Sequence, residues 1–257
     1  MGRYDGYLIL ADYDGTLADR NGRVSAENVE AIRSFQDQGG YFTIASGRSP
    51  DFIRNVAANV PLNAPVIALN GGAIVDPDSF EVVERIGGDA EFVRDYLSLI
   101  DPEISCETHL WHSDCVNSIW KKGEGSPERS VKDCAPPVYK AIFIEHTPEL
   151  ALELKRAAKA RFGDKYIIER SWPVGLEMLP AFSGKGNAAR LVKRLMAGRV
   201  HTLIGMGDYE NDVSLLTASD IGVAVGNALE EVKLAARKIT VPNYEHAVRQ
   251  VISDLIG

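Results

Sequence analysis

The chain has 257 residues, 45% hydrophobic and 25% charged, the balance of an ordinary globular protein with material for one large core or two modest ones. A formal charge of −8 argues against nucleic acid or an anionic membrane as the main partner, since both attract basic surfaces, while a small phosphorylated ligand needs only a local positive site. No apolar run approaches the ~20 residues of a membrane span, no basic-then-apolar leader opens the chain, and three cysteines (Cys106, Cys115, Cys134) cannot all pair within one chain, which favours a reducing, cytoplasmic setting.

Tyr7-Leu8-Ile9-Leu10 begins a buried strand, 7–11, that stops at Asp12 and Asp14. A buried strand has no use for carboxylates. The pair therefore belongs at its C-terminal end, the edge at which open parallel α/β sheets bind ligands. Gly15 and Thr16 add a tight turn, backbone N–H groups and a hydroxyl, which suit an anion. Ser25 is an N-cap for a helix through Gln38, with Val29, Ile32 and Phe35 on one face and Gly39-Gly40 at its end. A second strand, 41–45, ends at Ser46-Gly47-Arg48. Ser49-Pro50 then opens a helix with Phe52, Ile53 and Val56 facing inward. A third strand, 66–69, ends at Asn70-Gly71-Gly72. Three such steps with continuous apolar strands imply a parallel sheet covered on both faces.

From Val82 to Pro180 the pattern changes to hairpins, two amphipathic helices (89–100 and 148–162) and a turn-rich loop, 123–137. Trp111, Trp120 and Trp172 all lie here. The α/β rhythm returns at Lys185 with a helix to Met196. A strand over 202–206 ends at Gly207-Asp208, and another over 222–225 ends at Gly226-Asn227. A helix, a strand at 239–241 and a helix from Glu245 complete the chain. The expected architecture is α/β: a doubly wound, Rossmann-like parallel sheet over 1–81 and 181–257, with an α+β unit, 82–180, inserted into it.

Four segments of the α/β part carry polar signatures: Asp12/Asp14, Ser46-Gly47, Ser183-Gly184-Lys185-Gly186, and Gly207-Asp208-Tyr209-Glu210-Asn211-Asp212. This inventory suits phosphoryl transfer through an aspartyl phosphate. A carboxylate nucleophile divides the reaction into two displacements. Because two anions must meet, a hard cation is needed, and Mg²⁺ takes one or two carboxylates plus phosphate oxygen and water; Asp12 and Asp208 can supply them. Lys185 would set a fixed positive charge against nucleophile and phosphate, and the Ser46 hydroxyl and Gly47 N–H would hold phosphoryl oxygens. Asp14 can protonate the leaving oxygen and later deprotonate water.

Taken in order, these segments resemble the four motifs of the haloacid dehalogenase superfamily of phosphatases and phosphomutases. DYDGTL resembles motif one, with Asp12 as nucleophile and Asp14 as acid/base; Ser46 within TIASGR resembles motif two, Lys185 motif three, and GDYEND motif four. The resemblance implies Mg²⁺ bound by Asp12, the backbone carbonyl of Asp14 and Asp208, with Asp212 as an outer partner, and phosphate contacts from Asn211 beside Ser46, Gly47 and Thr16. The long insertion lies after motif two rather than before it. Together with Asn70-Gly71-Gly72 and Gly222-Val223-Ala224-Val225-Gly226-Asn227-Ala228, this resembles the Cof-like group, subclass IIB, with an α+β cap. Ser183-Gly184 before Lys185 departs from relatives that often have an apolar residue and then Ser.

The implied activity is Mg²⁺-dependent hydrolysis of small phosphorylated metabolites, chiefly sugar or polyol phosphates, with the cap closing over the substrate. A phosphomutase shares every residue named and is the alternative. A phospho-acceptor receiver uses a similar acidic pair but is about half this length, and a non-catalytic sugar-phosphate binder is the remote alternative. The oligomeric state is open and compatible with a monomer.

Several residues remain outside this scheme. Cys106, His109, His112 and Cys115 are zinc-ligand types without the spacing of known fingers, so a metal site is not expected. Trp111 and Trp120 are read as core of the insert. Lys121, Lys122 and Arg129 are read as surface charges. Arg48 and Asn70 are left open between a structural and a functional role.

Overall fold

The computed structural model describes residues 2–113 and 116–255. They divide into two compact units: residues up to Glu84 with those from Lys185 onward, and Arg85–Gly184. The first unit opens with β1 (Tyr7–Ala11), α1 (Ala26–Asp37), β2 (Tyr41–Ile44), α2 (Pro50–Ala57), β3 (Val66–Ala68) and β4 (Ala73–Val75), and β5 (Val82–Arg85) leads out of it. Local signals set these elements. The Ser25 side chain accepts from the Asn28 N–H at the start of α1, and Ile32 and Phe35 on its inner face are buried. Pro50 begins α2, where its missing N–H costs nothing; Ser49 holds the N-cap position without a side-chain bond.

In the second unit α3 (Ala90–Leu97), β6 (Glu107–His112), β7 (Val116–Lys121), α4 (Pro127–Ser130), β8 (Val138–Ile144), α5 (Pro148–Phe162), β9 (Tyr166–Trp172) and β10 (Gly175–Pro180) follow. The strands form one antiparallel sheet, ordered β7-β6-β8-β10-β9. Period-two alternation along β6 buries Thr108, Leu110 and His112. Leu110 joins Phe143 and Met178 from neighbouring strands, Phe92 and Tyr96 from α3, and Ala158 from α5 in one core. Asp89 caps α3 and Thr147 caps α5. The segment read as the loop 123–137 contains the single turn of α4. Trp120 is buried and its indole donates to the Gly125 carbonyl at 3.0 Å, whereas Trp111 is only half-buried.

Both ring nitrogens of each histidine in β6 are engaged: His109 with Glu107 and Asn117, His112 with Ser113 and Ser118. The alternation of the strand places the two rings on opposite faces. Cys115 lies outside the described residues.

The chain returns through α6 (Gly184–Leu195), β11 (Thr202–Gly207), α7 (Val213–Ala218), β12 (Ile221–Ala224), α8 (Glu230–Ala235), β13 (Lys238–Ile239) and α9 (Ala247–Asp254). Its strands complete a parallel sheet ordered β13-β12-β11-β1-β2. A parallel bridge between Ala45 and Ile67 brings β3 alongside β2. From β1 the chain thus winds first toward β3 and, after the insertion, toward β13. The reversal falls between β1 and β11, the topological switch point where doubly wound sheets bind ligands. Register pairs Ala11 with Met206, so Asp12 and Asp208 leave the sheet side by side. Among the described residues no helix is long and apolar enough to cross a membrane.

All three tryptophans lie in the second unit, so their fluorescence reports its unfolding. Phe143→Ala empties a fully buried position and is expected to destabilise that unit by ~3–5 kcal/mol. The check is the shift of the fluorescence-detected urea midpoint.

Candidate active site

Lys185, in the first turn of α6, is fully buried and bonds two carboxylates at once: Asp12 Oδ1 and Asp212 Oδ1, each at 2.5 Å. The second oxygen of Asp212 accepts from the backbone N–H groups of Asp208 and Tyr209 at 2.9 and 3.1 Å. Asp208 Oδ1 accepts from the Thr16 hydroxyl at 2.9 Å. Two close approaches require glycine. Gly15 has φ +87°, and a Cβ there would lie 2.5 Å from Asp208 Oδ2; a Cβ on Gly207 would lie 2.3 Å from that of Asp212. The turn after β1 is tied down from behind: Asn227 donates to the Gly15 carbonyl, its own side-chain oxygen accepts from the Asn243 N–H, and Asn243 donates to the Ala18 carbonyl.

At the end of β2, Ser46 is fully buried and its Oγ accepts from the Arg48 N–H at 3.1 Å. Gly47 lies against the Asn70 side-chain amide. Asn70 sits in a single 3-10 turn after β3 in which Leu69, Asn70 and Gly71 all have positive φ (51°, 52° and 94°). Asn211 Nδ2 donates to Asn70 Oδ1 at 3.3 Å. Asp14 is set apart: its carboxylate is half-exposed and accepts from Arg48 Nε and Nη2, both at 3.0 Å. The structure thus gathers Asp12, Lys185, Asp208, Asp212 and Thr16 into one bonded cluster, links Asn211 to Asn70, and places the Asp14 side chain on Arg48.

Burial is the main reason that Asp12 titrates well above the usual carboxylate range; Lys185 counters it, and Asp212 and Asp208 add to it. Burial also opposes the charge on Lys185, but Asp12 and Asp212 prevail and raise it above an ordinary lysine. Asp208 is pushed up to about 7 by burial and then by Asp212. Asp12, Asp208 and Asp212 each bring one oxygen within 4.8 Å of the others. Oxygen-only donors on three crowded carboxylates suit a hard divalent cation.

A haloacid dehalogenase-like hydrolase family model matches residues 9–252. The chain belongs to this family. The Bacillus subtilis 5-amino-6-(5-phospho-D-ribitylamino)uracil phosphatase YcsE is 29% identical over 95% of this chain and 94% of its own length. The crystal structure of TM0651 from Thermotoga maritima is 27% identical, covers 98% of this chain and 97% of its own, and has a TM-score of 0.75. The subclass IIB sugar phosphatase BT4131, 20% identical with coverage of 96% and 98%, shares the fold at a TM-score of 0.78.

Two residues of this haloacid dehalogenase-like hydrolase that the sequence leaves open between a structural and a functional role, Asn70 and Arg48, lie against the residues of the site. Asn70 carries a local signal, since Asn-Gly after a strand marks positive φ, and positive φ at two successive non-glycine residues, Leu69 and Asn70, marks strain of the kind that clusters at functional sites. Arg48 carries none beyond following Ser46-Gly47, because its partner Asp14 lies 34 positions away. The Thr16 hydroxyl, read as a phosphate ligand, donates to Asp208 in this structure.

In the unfolded chain an aspartate titrates near ~3.9, and in the folded protein Asp208 titrates at about 7. Between these values the folded state holds the extra proton, so the metal-free protein loses stability as pH rises through that window. In EDTA the melting temperature is expected to fall from about pH 4 to about pH 7. Added Mg²⁺ should restore more at the upper end, because it binds the carboxylate form and releases protons.

Proposed function

We propose that this protein is a Mg²⁺-dependent phosphatase that hydrolyses small phosphorylated metabolites, sugar or polyol phosphates above all, through an aspartyl phosphate on Asp12. The observation that carries this reading is Asp12 itself, buried at the switch point with one oxygen held by Lys185 and with Asp208 beside it. The relatives agree in kind: the Bacillus subtilis relative is named for a substrate whose phosphate sits on a ribityl chain.

Lys185 fixes Asp12 Oδ1, and the other oxygen is the one that attacks. As Oδ2 bonds to phosphorus, the ester P–O bond breaks, and Asp14 passes a proton to the departing alkoxide. In the second half Asp14 takes a proton from water, the water oxygen bonds to phosphorus, and the bond to Asp12 breaks, which releases inorganic phosphate. The Ser46 hydroxyl, the Gly47 N–H and Asn211 hold the phosphoryl oxygens, and Lys185 faces the charge they gather. Asp12, the Asp14 carbonyl and Asp208, with Asp212 in support, would hold a divalent cation, which would neutralise charge between the anionic nucleophile and the phosphate. We assign the second unit the role of a cap that excludes water and selects the leaving group.

Asp12→Asn keeps the shape and removes the nucleophile, and turnover is expected to fall ~10⁴-fold or more, as when a member of a covalent catalytic unit is lost. Phosphate release from a panel of sugar and polyol phosphates, with and without EDTA, is the measurement. Retained activity in Asp12→Asn would sink the mechanism, and isomerisation without phosphate release would assign the protein as a mutase.

A further inference from the structure

We infer that Arg48 is a positioning residue for Asp14, and that it works as one face of a bracket built from Phe52 and Tyr13. This rests on the reading of Asp14 as the acid/base. The Arg48 guanidinium donates to each Asp14 oxygen at 3.0 Å, Nε to Oδ2 and Nη2 to Oδ1, the planar two-point match that only arginine makes with a carboxylate. The guanidinium carbon lies 4.8 Å from the centre of the Phe52 ring. That ring meets the Tyr13 ring edge-on at 5.3 Å and 80°. Tyr13 is buried, and its hydroxyl donates to the Gly22 carbonyl at 2.9 Å.

A half-exposed aspartate left alone rotates about two side-chain torsions, and an acid that must meet one leaving oxygen loses rate when it wanders. The bracket removes that freedom. Two bonds fix the carboxylate plane, the Phe52 face fixes the guanidinium, and Tyr13, the neighbour of Asp14 in the chain, fixes Phe52. A carboxylate offers about four acceptor sites. Arg48 occupies one on each oxygen, so each oxygen keeps a site for a proton or for the leaving oxygen. The backbone N–H of Arg48 bonds Ser46 Oγ, so the residue that orients Asp14 also belongs to the loop proposed to hold the phosphate.

The test is leaving-group selectivity. With Mg²⁺ present, kcat/KM is measured for 4-nitrophenyl phosphate, whose phenolate departs without a proton, and for benzyl phosphate, whose alkoxide does not. Asp14→Asn comes first and should raise the ratio of the two by ~10²-fold or more, the usual weight of general acid catalysis; an unmoved ratio refutes the acid/base reading itself. Given that shift, Arg48→Gln should raise the ratio about 10-fold, Arg48→Lys and Phe52→Leu by less, and Arg48→Gln should add nothing in the Asp14→Asn background. A parallel melting curve checks that Arg48→Gln is folded. Equal losses on both substrates, a further loss in the double variant, or no change in the ratio would each overturn the role assigned to Arg48.

Discussion

Lys185 is fully buried and touches two carboxylates at 2.5 Å, so its charge has no water to fall back on and depends on Asp12 and Asp212. The dependence runs both ways, because three carboxylates crowded within 4.8 Å repel one another in a medium that screens poorly. Breaking a buried ion pair on one side costs several kcal/mol (about 3–5), since it strands the other charge. The cluster therefore also fastens the fold. Asp12 ends β1, Asp212 belongs to the 3-10 turn after β11, and Lys185 opens α6, the first element after the insertion. One ammonium group ties the end of β1, before the second unit in sequence, to two segments that follow it.

Such crowding needs backbone that lets the side chains meet. Gly15 and Gly207 stand where a Cβ would strike Asp208 and Asp212. The positive-φ run at Leu69-Asn70-Gly71 brings Asn70 under Ser46-Gly47. The strain there is held by bonds from Leu69 N–H to the Arg48 carbonyl, from Asn70 N–H to the Ser46 carbonyl, and from Asn211 to Asn70. The same short loop after β2 is thus gripped from the β3 end while its arginine grips Asp14. The rigidity of the site comes from segments that bond one another rather than from any single element.

What could be read from the chain alone follows the range of each signal. The strand 7–11, the Ser25 cap and the helix 148–162 are local, and the structure has them where the sequence puts them. The short strand read at 239–241 lies at Lys238–Ile239, a shift expected where two or three residues carry the pattern. The turn of α4 escaped because four residues are too few for a helical period. Lys140 sits within the buried strand Val138–Ile144, and its charge is paired with Glu177, 37 positions away at 3.0 Å. The Thr16 hydroxyl finds Asp208 at a separation of 192 residues. Residue type and spacing disclose what a group can do; they do not disclose which partner has already claimed it.

The unequal legibility of the two units has a further cause in strand direction. In a parallel sheet every C-terminal strand end lies on one edge, so a polar residue just after an apolar run is placed near every other such residue before any contact is known. Strand direction brings Asp12, Ser46, Asn70 and Asp208 to the same edge. In the antiparallel sheet of the second unit successive strands end on opposite edges, and polar side chains alternate between faces. His109 meets Glu107 two positions along its own strand and Asn117 on β7 through cross-strand register, and a bulge at Trp111/His112 shifts the register of β6 against β8. Chemistry carried by parallel strand ends is therefore written in the order of motifs. Chemistry carried by an antiparallel face is written in register, and register is the property that a single sequence specifies least openly.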